Sequence, residues 1–217
     1  MGDPAWILLH ILVLVYWLGG DLGAFYASRL VVEEARPAAG RLAAAQILSN
    51  VDMAPRMAMI FAFPTGLAVS VSRGWLALDF IWVWIAFAAA LVWAGLAWAV
   101  HLKAGPQGPI KALDTAIRYA ALALLAAASA GAFAGLIEAP HFLAAKWLLL
   151  ALAIVCGLLI RRALAPFGPA FGLLAAGKAG EAENAAIRAS LAHAKRYVLI
   201  IWAALIAASA LGVYTPA

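Results

Sequence analysis

Apolar residues in this chain run in long blocks, without the regular polar interruption that marks a half-buried strand or an amphipathic helix. Six blocks stand out, at about 5–29, 53–72, 76–101, 115–137, 141–160 and 197–214. A helix rises about 1.5 Å per residue and the hydrocarbon layer is roughly 30 Å deep, so about 20 apolar residues make one crossing. Each block has that length or nearly so. The pattern predicts an all-α fold, a polytopic membrane helix bundle of about six transmembrane helices forming a single integral membrane domain over residues 1–217.

The connections carry their own signals. Residues 30–52 include VVEEARPAAGR, which predicts an extension of the first helix, a turn at Pro37 and an amphipathic lead-in to the second span. Residues 102–114, LKAGPQGPIKALD, read as a Gly/Pro turn, and residues 161–196 hold RRALAPFGPAF followed by a polar helical patch, KAGEAENAAIRASLAHAKR. No internal repeat and no separate soluble domain is visible.

Composition narrows the class. The 217 residues are 67% hydrophobic and 12% charged, where soluble domains are about half apolar and a quarter charged. One cysteine, Cys156, lies inside an apolar run. That excludes an intramolecular disulfide framework, a CxxC redox pair and zinc-finger spacing. The first residues, MGDPAWILLH, place Asp3 where a secretory signal carries Lys or Arg, and no small-residue cleavage site follows. This stretch is therefore expected to be the first span, retained in the mature protein.

The net charge of +5 is no nucleic-acid footprint, because the basic residues fall between spans. Their distribution instead predicts orientation. Thirteen of the 15 Lys and Arg fall on one side: Arg29, Arg36, Arg41, Arg56, Lys103, Lys111, Arg118, Arg161, Arg162, Lys178, Arg188, Lys195 and Arg196. Only Arg73 and Lys146 fall on the other. The first side is then cytoplasmic and both termini face outward, which in a bacterial inner membrane is the periplasm.

Ionisable groups inside the blocks are costly in hydrocarbon and draw attention to themselves. Positions seven and eleven apart on a helix fall nearly in line, so His10, Trp17 and Asp21 share one stripe. Asp21 and Arg56 reach similar depth and are expected to pair; the alternative is that Arg56 snorkels to the headgroups. His10, Asp79, Glu138, His141 and Lys146 all lie in the outer third, and Lys146 sits about six residues inside its span. His101 and His193 fall at the opposite face beside Lys103 and Lys195. The fourth span is rich in Ala, Gly and Ser, and Gly19 with Gly23 repeats a small-xxx-small spacing. Such residues serve close helix packing or the close approach of a flat ligand.

The first span, HILVLVYWLGGDLGAFYASRL, resembles the first helix of the four-helix membrane protoporphyrinogen IX oxidases and of the related copper resistance protein D family. The shared elements are His10, Trp17, Gly20, the pair Phe25–Tyr26 and Arg29–Leu30. About three additional residues, Asp21 among them, separate Gly20 from the aromatic pair. MAPRMAMIFAFPTGLAV, with Pro55 early and Gly66 late, resembles the second helix of that family. FLAAKWLLLALAIVCGLLIRR resembles its third, with Lys146 at the matching lysine. The likeness covers roughly 5–72 and 140–214, leaving the third and fourth spans as an inserted hairpin. It implies a heme b site in the outer half of the bundle with His10 as axial ligand, and functional weight on Lys146 and Arg29.

These readings converge on a heme b-dependent membrane oxidoreductase or electron-transfer protein acting on a hydrophobic donor such as a porphyrinogen or quinol. His10, Trp17, Gly20, His141 and Lys146 are the expected cofactor contacts, and Lys146, Arg29 and Asp21 the expected catalytic groups, with Asp21 as a proton carrier. His10 and His141 would be the metal ligands, with His101 and His193 as a weaker second site. Two readings compete. A copper-handling protein would use His10, Asp79, Glu138 and His141 for copper(II), but the thioether ligands suited to copper(I) are few, and Met53, Met57 and Met59 cluster at the inner side. A structural membrane subunit would use its polar residues only to fix packing. Expected partners are membrane lipid and a hydrophobic redox substrate or quinone, with no nucleic acid; a homo-oligomer stays open.

Overall fold

A computed structural model describes residues 3–102 and 108–215 of the chain. Among the described residues there are eight helices and no strand: α1 (Pro4–Val32), α2 (Ala38–Val51), α3 (Met53–Ser72), α4 (Ile81–Leu102), α5 (Pro109–Phe133), α6 (His141–Ala163), α7 (Phe167–Ala175) and α8 (Glu181–Tyr214). Six helical stretches are long and apolar enough to cross a membrane, with α2 and α3 counted as one. Their outward faces are apolar: Leu91, Val92 and Leu124 are 63%, 73% and 71% exposed. Such faces suit acyl chains and not water. The protein is all-α and has the makings of a multi-pass membrane protein.

Local chemistry sets the helix ends and shifts several of them from expectation. The third span begins at Ile81 and not near 76. The intervening segment turns at Gly74 (φ 71°), where Trp75 N–H bonds Ser70 C=O at 2.9 Å. This left-handed closure satisfies carbonyls that the helix end leaves open and favours glycine. Asp79 then receives the Ile81 N–H at 2.8 Å and starts α4. The same closure at Gly135 ends α5. The polar patch after Gly180 is not separate from the last span, because α8 runs unbroken for 34 residues. Glu183 opens it by receiving the Gly180 N–H at 2.7 Å. Pro37 ends the connection after α1, as its fixed φ predicts. Most of the Gly/Pro turn before α5, with Lys103, lies outside the described residues.

The chain groups into two compact units built from interleaved segments: Met1–Trp17, Arg56–Ile154 and Ala204–Ala217 form the first, Leu18–Pro55 and Val155–Ala203 the second. In the first, α4 and α5 pack on each other as a hairpin. Trp93 on α4 donates its indole N–H to Asp114 on α5 at 3.0 Å. Arg118, one turn along, bonds the same carboxylate at 3.1 Å and 3.3 Å, lies over the Trp93 ring and reaches Met59 Sδ on α3 at 3.6 Å. Asp114 is wholly buried and Arg118 is 4% exposed. A charge at that depth persists only where a partner meets it. Ser129 donates to Ala144 C=O at 2.9 Å and ties α5 to α6. Trp6 packs among Phe80, Trp84 and Phe87, an aromatic cluster joining the starts of α1 and α4.

In the second unit, Val31, Ala44, Ala170, Leu174, Ile187 and Leu191 form the core where α1, α2, α7 and α8 meet. Arg41, 3% exposed, donates to the Val31 carbonyl at 2.8 Å and to Asn184 Oδ1 at 2.9 Å. It satisfies an open carbonyl at the end of α1 and fastens α2 to α8. Any Cβ at Gly20 would collide with the Pro55 ring, so this glycine serves helix packing.

Removing one partner of a buried ion pair strands the other, at about 3–5 kcal/mol. Arg118→Leu is expected to lower thermal stability in detergent by that order, and Asp114→Leu/Arg118→Leu to recover much of it. Melting curves of the two variants check this.

Candidate functional site

Three of the residues singled out in the sequence meet at one cavity of the first unit. Its volume is about 340 Å³, and His10, Trp17 and Lys146 line it together with Gly66, Ser70, Arg73, Trp75, Trp147, Ser209 and Gly212. That lies within the range of small-molecule pockets. The remaining wall is apolar, and no Asp or Glu is among the lining residues. An apolar chamber bearing an imidazole and two cations suits a ligand with a flat apolar body and anionic groups.

α1 supplies His10 and Trp17, two turns apart on one face. α3 answers with Pro64-Thr65-Gly66. Pro64 is buried inside the helix and has no N–H to give the ladder. Thr65 turns its hydroxyl back to Phe61 C=O at 2.7 Å, with Ala62 C=O at 3.2 Å. Its proton is thereby spent on the helix, and the oxygen that remains faces His10 Nδ1 at 2.9 Å. With the Thr65 proton on the Phe61 carbonyl, the matching imidazole tautomer carries its hydrogen on Nδ1 and keeps the Nε2 lone pair. Gly66 makes the contact feasible, because a Cβ there would lie 3.2 Å from His10 Cε1.

Lys146 projects from α6 toward α8, where a Cβ at Gly212 would stand 2.8 Å from its Nζ. Among the described residues no hydrogen bond or ion pair engages this ammonium. Arg73, in the turn after α3, stands over the Trp75 ring at 5.9 Å. Trp75 in turn meets Phe142 edge-on at 4.9 Å, within a cluster with Leu76 and Leu143. The two basic residues that the charge distribution set apart from the other thirteen therefore line the same cavity.

The other singled-out residues lie elsewhere. His141 is exposed, stacks on Phe133 at 5.7 Å and does not line the cavity. His101 meets Trp98 edge-on, and His193 stacks on Tyr197 with Nε2 at 3.3 Å from its hydroxyl. Among the described residues no three of His, Cys, Asp or Glu gather closely enough to hold a metal ion, so His10, Asp79, Glu138 and His141 form no such group. Gly20, Asp21 and Arg29 belong to the second unit, and Arg56 to the first. Asp21, 7% exposed, receives the Trp202 indole N–H at 3.2 Å; Trp202 packs on Phe25, and Arg29 stands over that ring.

Sequence reasoning passed over Thr65, Gly212 and the Asp114–Arg118 pair, and used Arg73 only for orientation. Two of these left a readable signal. A threonine directly after a proline inside an apolar block has backbone work to do, and Asp114 precedes Arg118 by one helical turn. Thr65's bond to His10 and Gly212's contact with Lys146 are tertiary and had none. No family model, no curated protein and no solved structure matches this chain.

The cavity is testable without any ligand. In a Cys156→Ala background, Lys146→Cys is expected to react with a small aqueous thiol reagent, and adding Gly212→Leu to slow that reaction. Labelling rates by mass spectrometry decide it; an inert thiol in the folded protein would contradict the cavity.

Proposed function

We propose that this chain is a heme b-binding membrane oxidoreductase or electron-transfer protein that serves a hydrophobic donor such as a porphyrinogen or quinol. The observation that carries the proposal is the His10 imidazole, whose Nδ1 is held by Thr65 at 2.9 Å on the wall of a cavity. Metal-bound histidines are held in just this manner, with the second nitrogen fixed by a hydrogen bond. A porphyrin brings four of its own nitrogens to the iron, so one protein imidazole is enough; a copper site built from side chains needs a cluster that the described residues do not form.

In this reading His10 would bind iron through Nε2. Lys146 and Arg73 would meet the propionates, and Lys146, which lines the cavity while His141 does not, would be the second ligand. Bound there, the cofactor supplies one-electron chemistry. The chain's own residues hold and aim the imidazole, exclude water with Trp17, Trp75 and Phe142, and oppose the carboxylates with positive charge. Asp21, bonded to Trp202, is assigned to anchoring that indole. The likeness to the four-helix protoporphyrinogen IX oxidases over spans one, two, five and six supports the same reading. A bacterial inner membrane with both termini in the periplasm goes with it, on the distribution of Lys and Arg.

The detergent-purified protein, expressed with ample heme, is expected to show a Soret band that shifts on reduction and is lost in His10→Ala. A colourless wild-type protein would overturn the proposal. Thr65→Val removes the partner of Nδ1 and is expected to weaken heme retention by about 10–100-fold, measured by transfer to an apo-heme acceptor. If the polar residues only fix packing, both variants would leave the spectrum unchanged.

A further inference from the structure

In the second unit, two cations converge on a single aromatic ring. Arg29, in the last turn of α1, holds its guanidinium carbon 5.6 Å from the Phe25 centroid, and Lys195 on α8 holds its Nζ 5.0 Å from the same centroid. Neither has a carboxylate for a partner among the described residues. The acids nearest Arg29 on the chain are committed elsewhere: Glu33 pairs with Arg36 at 2.8 Å and Glu34 pairs with Arg188, while Asp21, two turns earlier, is bonded to Trp202. One ring quadrupole attracts a cation, but it does not cancel the repulsion between two that share it. An anion within reach of both would.

The place in the helices says which anion. On α1 only Leu30, Val31 and Val32 separate Arg29 from the acidic residues Glu33 and Glu34 that follow the helix, and on α8 the apolar run begins at Tyr197, two residues after Lys195. Aromatic and basic residues at such a boundary sit at headgroup depth. We infer that Arg29 and Lys195, set about the Phe25 ring, form a binding site for the phosphate of an anionic membrane lipid. Arg29 supplies a planar fork for the phosphate oxygens and Lys195 a point charge, while the lipid's acyl chains continue along the apolar faces of α1 and α8. The site lies within the second unit and does not depend on heme.

Native mass spectrometry of the full chain in neutral detergent tests it, with phosphatidylglycerol, phosphatidylcholine and inorganic phosphate as probes. Wild type is expected to retain phosphatidylglycerol in preference to phosphatidylcholine. Arg29→Gln/Lys195→Gln is expected to lose about thirtyfold in that affinity, from two basic residues at an anionic surface. Arg29→Lys/Lys195→Arg is expected to keep most of it. Should the neutral double variant fail to fold, Lys195→Gln alone is expected to lose about fivefold. Equal retention of the two lipids by wild type would overturn the inference. So would undiminished phosphatidylglycerol binding in a folded neutral variant. Displacement of the lipid by inorganic phosphate at matching concentration would assign the site to free phosphate and overturn the lipid.

Discussion

A histidine inside a membrane helix has two nitrogens to satisfy and no water to satisfy them, and the first unit is arranged around that demand. His10 settles one nitrogen on Thr65. Thr65 is free to accept because its own proton has gone to the helix carbonyl of Phe61. Gly66 lets the ring lie against α3 without collision. Three consecutive residues, Pro64, Thr65 and Gly66, thus loosen the backbone ladder, orient an imidazole and make space for it. The second nitrogen is left beside an apolar cavity whose cations, Lys146 and Arg73, have no acid among its lining residues. For Lys146, which is half-buried, a charge with no acid beside it is costly in a low dielectric.

Elsewhere the charged side chains that enter helices are hydrogen-bonded within their own unit. Asp114 and Arg118 share a carboxylate–guanidinium contact that also takes in Trp93 and Met59, so one ion pair joins α3, α4 and α5. Asp21 takes the Trp202 indole and joins α1 to α8. Arg41 caps the end of α1 and reaches Asn184. Lipid provides no hydrophobic contrast between helices, so small residues and polar contacts carry their association. Gly20 against Pro55 and Ser129 on the Ala144 carbonyl are instances of each. Lys146 at the cavity and the Arg29–Lys195 pair differ from these: among the described residues neither a carboxylate nor another hydrogen-bond acceptor answers them.

How far the sequence could be read depends on the range of each interaction. Apolar blocks located all six membrane-length stretches, since crossing hydrocarbon is a demand on local composition. Helix ends were less legible: the turn through Gly74 moved the start of α4 to Ile81, and the run of α8 back to Glu181 absorbed a patch that polarity alone set apart. In the site, the seven-residue spacing of His10 and Trp17 was visible because both sit on one helix. Lys146 was expected beside them from its depth and from the family likeness, but the arrival of Arg73 was not legible, as it comes from the turn after α3.

By itself, then, the sequence determined the helical class, the membrane-length blocks and the presence of an imidazole and a lysine where hydrocarbon makes both costly. Only the tertiary structure decided that His10 and Lys146 line one cavity while His141 turns to Phe133, and that Thr65 holds the His10 imidazole. The physical reason is one of distance along the chain. Burial of a block depends on neighbours a few residues away, whereas a hydrogen bond between His10 and Thr65 spans 55 residues and exists only once α1 and α3 have packed.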